Sequence, residues 1–280
     1  MDSKALDEAI GKLDKDTQRK IRACQEALRQ AGRMLVAFSG GVDSTFLLAL
    51  ASATLGGQNV LAVLGVAPIF PVWERDEARE LAGKLGVRLL ELQTCQLDDP
   101  TFLANPKDRC YHCKLSTFGR LVELARQRGF DAVASGTNAD DTGDYRPGLK
   151  AEEELGILRP LLDAGLRKKE IRAASAALGL ATWAKPTYAC LATRIPYGQP
   201  ITAARLLRIE QAELALRELG FAGSRVRDHD DVARLEVPAE LIERAAGMRE
   251  QIVQRLKKLG FSYVALDLEG YRTGSMNEVI

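Results

Sequence analysis

The chain has 280 residues, 46% hydrophobic and 28% charged, and its 39 basic side chains nearly cancel its 38 acidic ones. That length is enough for one large or two medium domains with a packed core that needs no disulfide or metal staple. A net charge of +1 argues against a surface that tracks nucleic acid throughout. No run of about 18 apolar residues is available to span a membrane, and five cysteines are too few, and odd in number, for a secreted disulfide framework.

The first 20 residues are polar and mixed in charge, without the apolar stretch of a signal peptide, so a cytoplasmic location is expected. Residues 4–31 carry Leu, Ile and Ala at helical spacing and predict one amphipathic helix that ends at Gly32. Residues 33–38 form a short apolar run that stops at Ser39-Gly40-Gly41, and residues 43–55 then read as a helix. The pattern repeats with a strand at 59–66, a helix at 73–85, a strand at 87–92, a helix at 114–128 and a strand at 131–134. Strands alternating with helices predict right-handed βαβ units and a parallel sheet, whose ligands bind beyond the carboxyl ends of the strands. Prolines and glycines between 186 and 200 mark a change of domain. After it come a helix from 202 to 219, strands at 224–228 and 232–237, a helix from about 239 to 259 and a last strand at 263–268. The fold class is α/β, a parallel-sheet domain over 1–195 followed by a smaller α+β domain over 196–280.

Ser39-Gly40-Gly41-Val42-Asp43-Ser44-Thr45 lies where the first strand meets its helix. Successive glycines let backbone N–H groups approach an anion, the helix start adds partial positive charge, and Ser39, Ser44 and Thr45 add hydroxyl donors. Asp43 beside a phosphate calls for a Mg²⁺ between them. No lysine completes G-x-x-x-x-G-K-[ST], so the loop is not of the kinase or GTPase kind. S-G-G-V-D-S resembles the PP-loop of ATP pyrophosphatases, the superfamily of GMP, NAD and asparagine synthetases and of tRNA-thiolating enzymes. The resemblance implies that ATP is split between its α- and β-phosphates, leaving AMP on a substrate oxygen. Ser-Gly-Thr-Asn-Ala-Asp-Asp at 135–141 is similar to the superfamily's second nucleotide loop; there Gly136 allows close approach, while Asp140 and Asp141 can bind magnesium or cap a helix.

Arg109-Cys110-Tyr111-His112-Cys113-Lys114 puts two thiols at C-x-x-C spacing just before the predicted helix, where Lys114 and the helix start favour thiolates. Cys190 stands in P-T-Y-A-C-L-A-T-R-I-P, ahead of the second domain. Three thiolates can hold a [4Fe–4S] cluster and leave one iron free to carry sulfide. A structural zinc half-site and a redox disulfide are the competing readings of C-x-x-C alone. His112 is read as covering its loop, and Cys24, Cys95, Trp73 and Trp183 as packing residues.

The ordered set S-G-G-V-D-S, D-R-C-Y-H-C-K, S-G-T-N-A-D-D, C-L-A-T-R-I-P-Y-G, R-V-R-D-H and G-Y-R-T-G-S-M-N resembles the LarE family over essentially the whole chain. Those proteins are sulfur transferases that make the thiocarboxylates of the nickel-pincer nucleotide cofactor from pyridinium-3,5-biscarboxylic acid mononucleotide. The resemblance implies that ATP and Mg²⁺ adenylate one carboxylate and that sulfur then displaces AMP. In one version of the family Cys190 gives up its own sulfur and becomes dehydroalanine. In the other a cluster on Cys110, Cys113 and Cys190 presents hydrosulfide, and the three cysteines here favour it. The resemblance also implies a homo-oligomer and a sulfide or other sulfur donor.

Arginine suits the phosphate and carboxylates of such a substrate. The resemblance implies that Arg194, and Arg225 with Arg227 on one face of a strand, hold it; Glu236 on the next strand reads as a salt-bridging carboxylate, with a minor metal ligand as the alternative. A PP-loop tRNA thiolase is the nearest alternative, but residues 200–280 carry 12 basic and 13 acidic side chains and no recognisable RNA-binding domain. A nucleotide-sensing module would bind ATP without consuming it, and an ammonia-using synthetase would leave the three cysteines unexplained.

Overall fold

The computed structural model describes residues 3–143, 147–186, 189–272 and 274. Thr187 and Tyr188 ahead of Cys190, residues 144–146 of the second loop, and Thr273, Ser275, Met276 and Asn277 of the last motif lie outside the described residues. In chain order the elements are α1 (Ser3–Ile10), α2 (Lys15–Ala31), β1 (Met34–Ala37), α3 (Val42–Leu55), β2 (Val60–Val66), α4 (Val72–Leu85), β3 (Arg88–Gln93), α5 (Pro100–Leu103), α6 (Arg109–Gln127) and β4 (Ala132–Ala134). Then follow α7 (Gly148–Glu154), α8 (Pro160–Asp163), α9 (Lys168–Ala177), α10 (Ala203–Glu218), β5 (Arg225–His229), β6 (Val232–Glu236), α11 (Ile242–Gly247), α12 (Arg249–Lys257) and β7 (Tyr263–Leu266). The chain divides into two units, one of residues 1–67, 72–95 and 110–188, the other of residues 68–71, 96–109 and 189–280.

The first unit is an α/β layer structure on a four-stranded sheet of order β3-β2-β1-β4, parallel throughout. Successive strand residues face opposite sides of a sheet. Met34 and Val36 of β1 and Val60, Ala62 and Leu64 of β2 accordingly join one core with α2, α3 and α9. Leu35, Leu61, Val63 and Val133 join the other, with Phe118, Leu121 and Ala125 of α6. Both faces are covered, which is why β1 and β2 read as continuous apolar runs. β3 is an edge strand, and its outward Glu91 pairs with Arg79 of α4, a charge that blunts the edge. Because β1 lies between β2 and β4, strand order reverses there, and the loops leaving β1 and β4 open side by side at the carboxyl edge. That crevice is where an open parallel sheet receives a ligand.

The second unit has its own sheet, β5-β6-β7, with β5 antiparallel and β7 parallel to β6. Val226, Ala233 and Leu235 of the sheet pack with Ala212 and Leu216 of α10 and Ile252 and Leu256 of α12. Thr202 caps α10 by accepting a hydrogen bond from the Arg205 amide at 3.2 Å. Two short stretches from far upstream complete the unit. Asn105, buried and held at φ 56°, donates its side-chain amide to the carbonyls of Ile195, Pro196 and Gln199, while the Ile69 carbonyl accepts from the Leu191 amide at 2.8 Å.

Four expectations are corrected. The single helix over 4–31 is two, since Asp14 caps α2 through the Thr17 amide and ends the run that began at α1. The helix over 239–259 is divided at Gly247 and Met248 into α11 and α12, after a 3₁₀ turn at Ala239–Leu241. The helix expected from Lys114 begins at Arg109, because Pro106 is the last residue that breaks the chain and nothing in R-C-Y-H-C interrupts a helix. Cys95 and Trp183 are exposed rather than packed, Cys95 accepting from Arg120 at 2.9 Å. Cys24 is in the core as expected, and burial pushes its thiol up to about 12.

Candidate active site

In the first unit, β1 runs into Ser39-Gly40-Gly41 and α3 begins at Val42 with Gly41 as its N-cap. Gly41 brings no side chain to close off the first amides of α3, so they stay available to an anion. Gly40 adopts φ 70°, and a Cβ on it would meet the Ala78 Cβ at 2.9 Å; the loop therefore passes α4 only as glycine. Ser44 Oγ donates to the Gly41 carbonyl at 3.2 Å, accepts from the Ser39 amide at 3.2 Å, and lies 3.1 Å from Ser39 Oγ, which ties the loop into a ring. Thr45 is buried, with no hydrogen-bond partner on its hydroxyl. Lys185 closes the outer side: it donates to the Gly40 carbonyl at 3.2 Å and pairs with Glu74 and Glu77 at 2.9 Å each. Burial works against its charge, but the two carboxylates more than offset this.

Gly136, from the loop after β4, sits on the first turn of α3, where a Cβ would lie 2.8 Å from the Ser44 amide nitrogen. The two loops thus touch, as the strand order requires. Gly136→Ala must push that backbone apart; we expect ATP affinity to fall by about tenfold or more with the fold retained, as read by equilibrium binding and thermal melting. Asp43 pairs through Oδ2 with Lys168 at the start of α9. Its Oδ1 is buried without a hydrogen-bond partner. Burial pushes the carboxyl up and Lys168 pulls it back in part. An orphaned carboxylate oxygen beside an anion-binding loop fits a Mg²⁺ ligand. Asp140 and Asp141 each accept a backbone amide, Asp140 that of Lys168 at 2.8 Å and Asp141 that of Asn138 at 3.0 Å, so capping is the role the structure gives them.

Cys110 and Cys113 are half-buried on the first two turns of α6, three residues apart and so on one face of that helix. Lys114 next to them pairs with Glu152 of α7 at 2.5 Å.

Cys190 belongs to the second unit, half-buried at the entry to the 3₁₀ turn Leu191–Arg194. Its carbonyl accepts from the Thr193 amide at 3.0 Å, Thr193 Oγ1 at 2.8 Å and Arg194 Nη1 at 3.0 Å. Arg194 is fully buried, its Nε and Nη2 donating to the two oxygens of Glu213 at 2.8 and 3.1 Å. Burial opposes that charge, and Glu213 outweighs it. Arg194 was expected to grip substrate; its donors are instead turned into the unit, where they hold the Cys190 backbone. Arg227 extends the network by donating to the Thr193 carbonyl at 2.9 Å and to Glu236 at 2.6 Å, so Glu236 forms a buried salt bridge. Arg225, on the same strand face, is also buried; it donates to the Gly223 and Ser224 carbonyls and lies over the Tyr271 ring.

Glu213, Asn105, Lys168, Lys185 and Glu152 were not singled out from the sequence. Each acts on a partner between 15 and 145 residues away, and no local pattern marks them. Within each unit, no three His, Cys, Asp or Glu side chains among the described residues gather as a metal-holding group.

No family model matches the chain. It is 39% identical over 254 residues, 91% of this chain and 92% of the relative, to pyridinium-3,5-bisthiocarboxylic acid mononucleotide synthase of Lactiplantibacillus plantarum. The chain belongs to the LarE family. An uncharacterized protein of Synechocystis is 39% identical over 263 residues, 93% of this chain and 98% of that protein. More distantly, a glutamine-hydrolyzing GMP synthase component of Methanosphaerula palustris is 28% identical over 179 residues, 59% of this chain and 57% of that protein. The LarE assignment and the glycine loop at the β1/β4 switch point agree on a PP-loop enzyme, a sulfurtransferase that uses ATP. Among the described residues, no helix is long and apolar enough to cross a membrane.

Proposed function

We propose that this enzyme adenylates a carboxylate of pyridinium-3,5-biscarboxylic acid mononucleotide at the expense of ATP and converts it to a thiocarboxylate. The match along 91% of the chain to a synthase of the bisthiocarboxylic acid mononucleotide carries the reading. The amides of residues 40–44 and the hydroxyls of Ser39, Ser44 and Thr45 bind the β- and γ-phosphates, and Asp43 Oδ1 would hold a magnesium ion, which when bound would neutralise the departing pyrophosphate. The substrate carboxylate oxygen bonds to the α-phosphorus as the bond to the bridging oxygen breaks. A sulfur nucleophile then adds to the acyl carbon and AMP leaves with the electron pair of the C–O bond.

Cys110, Cys113 and Cys190 are the thiols for the sulfur step. Three thiolates suit a [4Fe–4S] cluster, which when bound would supply an iron-held hydrosulfide. The Cys190 carbonyl, pinned by three donors, favours a second reading as well, since it holds that residue in place for attack in its own right. There the thiolate forms a thioester, loss of the Cα proton breaks the Cβ–Sγ bond, and the thiocarboxylate departs from a dehydroalanine. Arg225 and Arg227 supply the cationic field for the substrate phosphate, and Arg194 positions Cys190. Homo-oligomerisation, a cytoplasmic location and a sulfide donor belong to the same proposal.

Anaerobic reconstitution with iron and sulfide, followed by metal and sulfide analysis, tests the cluster. Cys110→Ala should bind no full cluster and should not turn over repeatedly. A Cys110→Ala protein that does both sinks the cluster reading, and an intact mass lower by that of H₂S after one turnover, lost at Cys190, establishes the sacrificial one.

A further inference from the structure

Glu152 is the one carboxylate of the acidic run 152–154 that is buried, with 1% of its surface exposed. A carboxylate in that position is unstable unless it is paired and hydrogen-bonded. Glu152 is both. Its Oε2 accepts from Ser135 Oγ at 3.1 Å and from Thr137 Oγ1 at 2.9 Å, while Oε1 accepts from Thr137 Oγ1 at 3.1 Å and from Lys114 Nζ at 2.5 Å. The lysine is led in deliberately: a Cβ on Gly148, at the start of α7, would sit 2.5 Å from the Lys114 Cδ, so glycine is what lets that stem pass. Ser135 and Thr137 flank Gly136, which rests on the Ser44 amide, and Lys114 follows Cys113 on α6. A single buried carboxylate therefore joins the second nucleotide loop to the helix that carries two of the thiols, all within the first unit.

We infer that Glu152 is a positioning residue that couples nucleotide occupancy to the cysteine-bearing turns of α6. The inference rests on the ATP-using reading above. When phosphate orders residues 39–45, the first turn of α3 presses on Gly136, the hydroxyls of Ser135 and Thr137 hold Glu152 in one place, and Glu152 holds Lys114. The thiols are thereby steadied when an adenylate is about to form. Hydrogen bonds to a charged group are the strong ones, so the carboxylate transmits what an amide in its place would not.

Hydrogen–deuterium exchange of the full-length protein, with and without Mg–ATP, reads this coupling directly. In the wild type, Mg–ATP should slow exchange several-fold in peptides covering 39–45 and 135–137, and also in peptides covering 113–120. Glu152→Gln should keep the first effect and lose the second. If Glu152→Gln does not fold, Lys114→Gln with Glu152→Gln removes both charges, leaves neither one buried alone, and should show the same uncoupling. Wild-type protein protected at 39–45 but unchanged at 113–120, or either variant still protected at 113–120, overturns the inference and leaves the ATP reading standing. Absence of protection at 39–45 in the wild type overturns that reading and the inference with it.

Discussion

Cys190→Ala should make no thiocarboxylate, a loss of at least about 10³-fold, while pyrophosphate release that depends on the pyridinium substrate continues. The two half-reactions separate because Cys190 and the phosphate loop lie in different units. The phosphate loop, Asp43 and Gly136 are in the first, and Cys190 with its arginine support is in the second. Both sulfur readings require Cys190, so the result does not depend on which of them holds. Pyrophosphate measured by a coupled assay and product mass in the same sample check it. Loss of both activities together would place Cys190 in nucleotide binding or in the fold, and would remove it from the sulfur step.

Glu213→Leu should have the largest effect on stability. It leaves Arg194 fully buried without its counter-charge, which costs about 3–5 kcal/mol, and it also deprives the Val226 amide of its acceptor at 3.1 Å. Arg194→Met combined with Glu213→Leu should recover most of that loss, because a buried pair can be exchanged for apolar side chains of similar volume at little net cost. Activity should stay low in the double variant, since the Cys190 carbonyl has lost its Arg194 donor. Urea unfolding of the three proteins, alongside product formation, tests both halves. A single variant as stable as wild type would mean that the pair contributes nothing, and a fully active double variant would remove Arg194 from the support of Cys190.

Much of the first unit was legible because its information is local. Apolar runs of four to seven residues give β1 and β2, and S-G-G-V-D-S declares a strand-loop-helix junction that the structure places at the switch point of the sheet. The helix breaks were not legible, because Asp14 caps α2 from within a run whose apolar spacing continues across it. The buried charges escaped for another reason. Glu152 reads as one of three consecutive acids and Glu213 as an ordinary helix glutamate, and only the partners brought to them by the fold distinguish them from solvated neighbours. The arginines read from the sequence as candidates for holding substrate, but their positions do not disclose that Arg194 spends its donors on Glu213 and on the chain at Cys190.

Asn105 donates its side-chain amide to three carbonyls 90 to 94 residues further along the chain. Synthesis proceeds at about 5–20 residues per second, so during translation Asn105 waits roughly 5–20 s before its partners exist. The first sheet, closed by residue 134, can form in that interval, whereas the Cys190 segment cannot be fixed until the ribosome has delivered the polypeptide well past it. The unit that carries Cys190 is therefore born late. It also cannot be transplanted by a single cut in the gene, because two pieces of it, residues 68–71 and 96–109, are encoded within the stretch that makes the first unit.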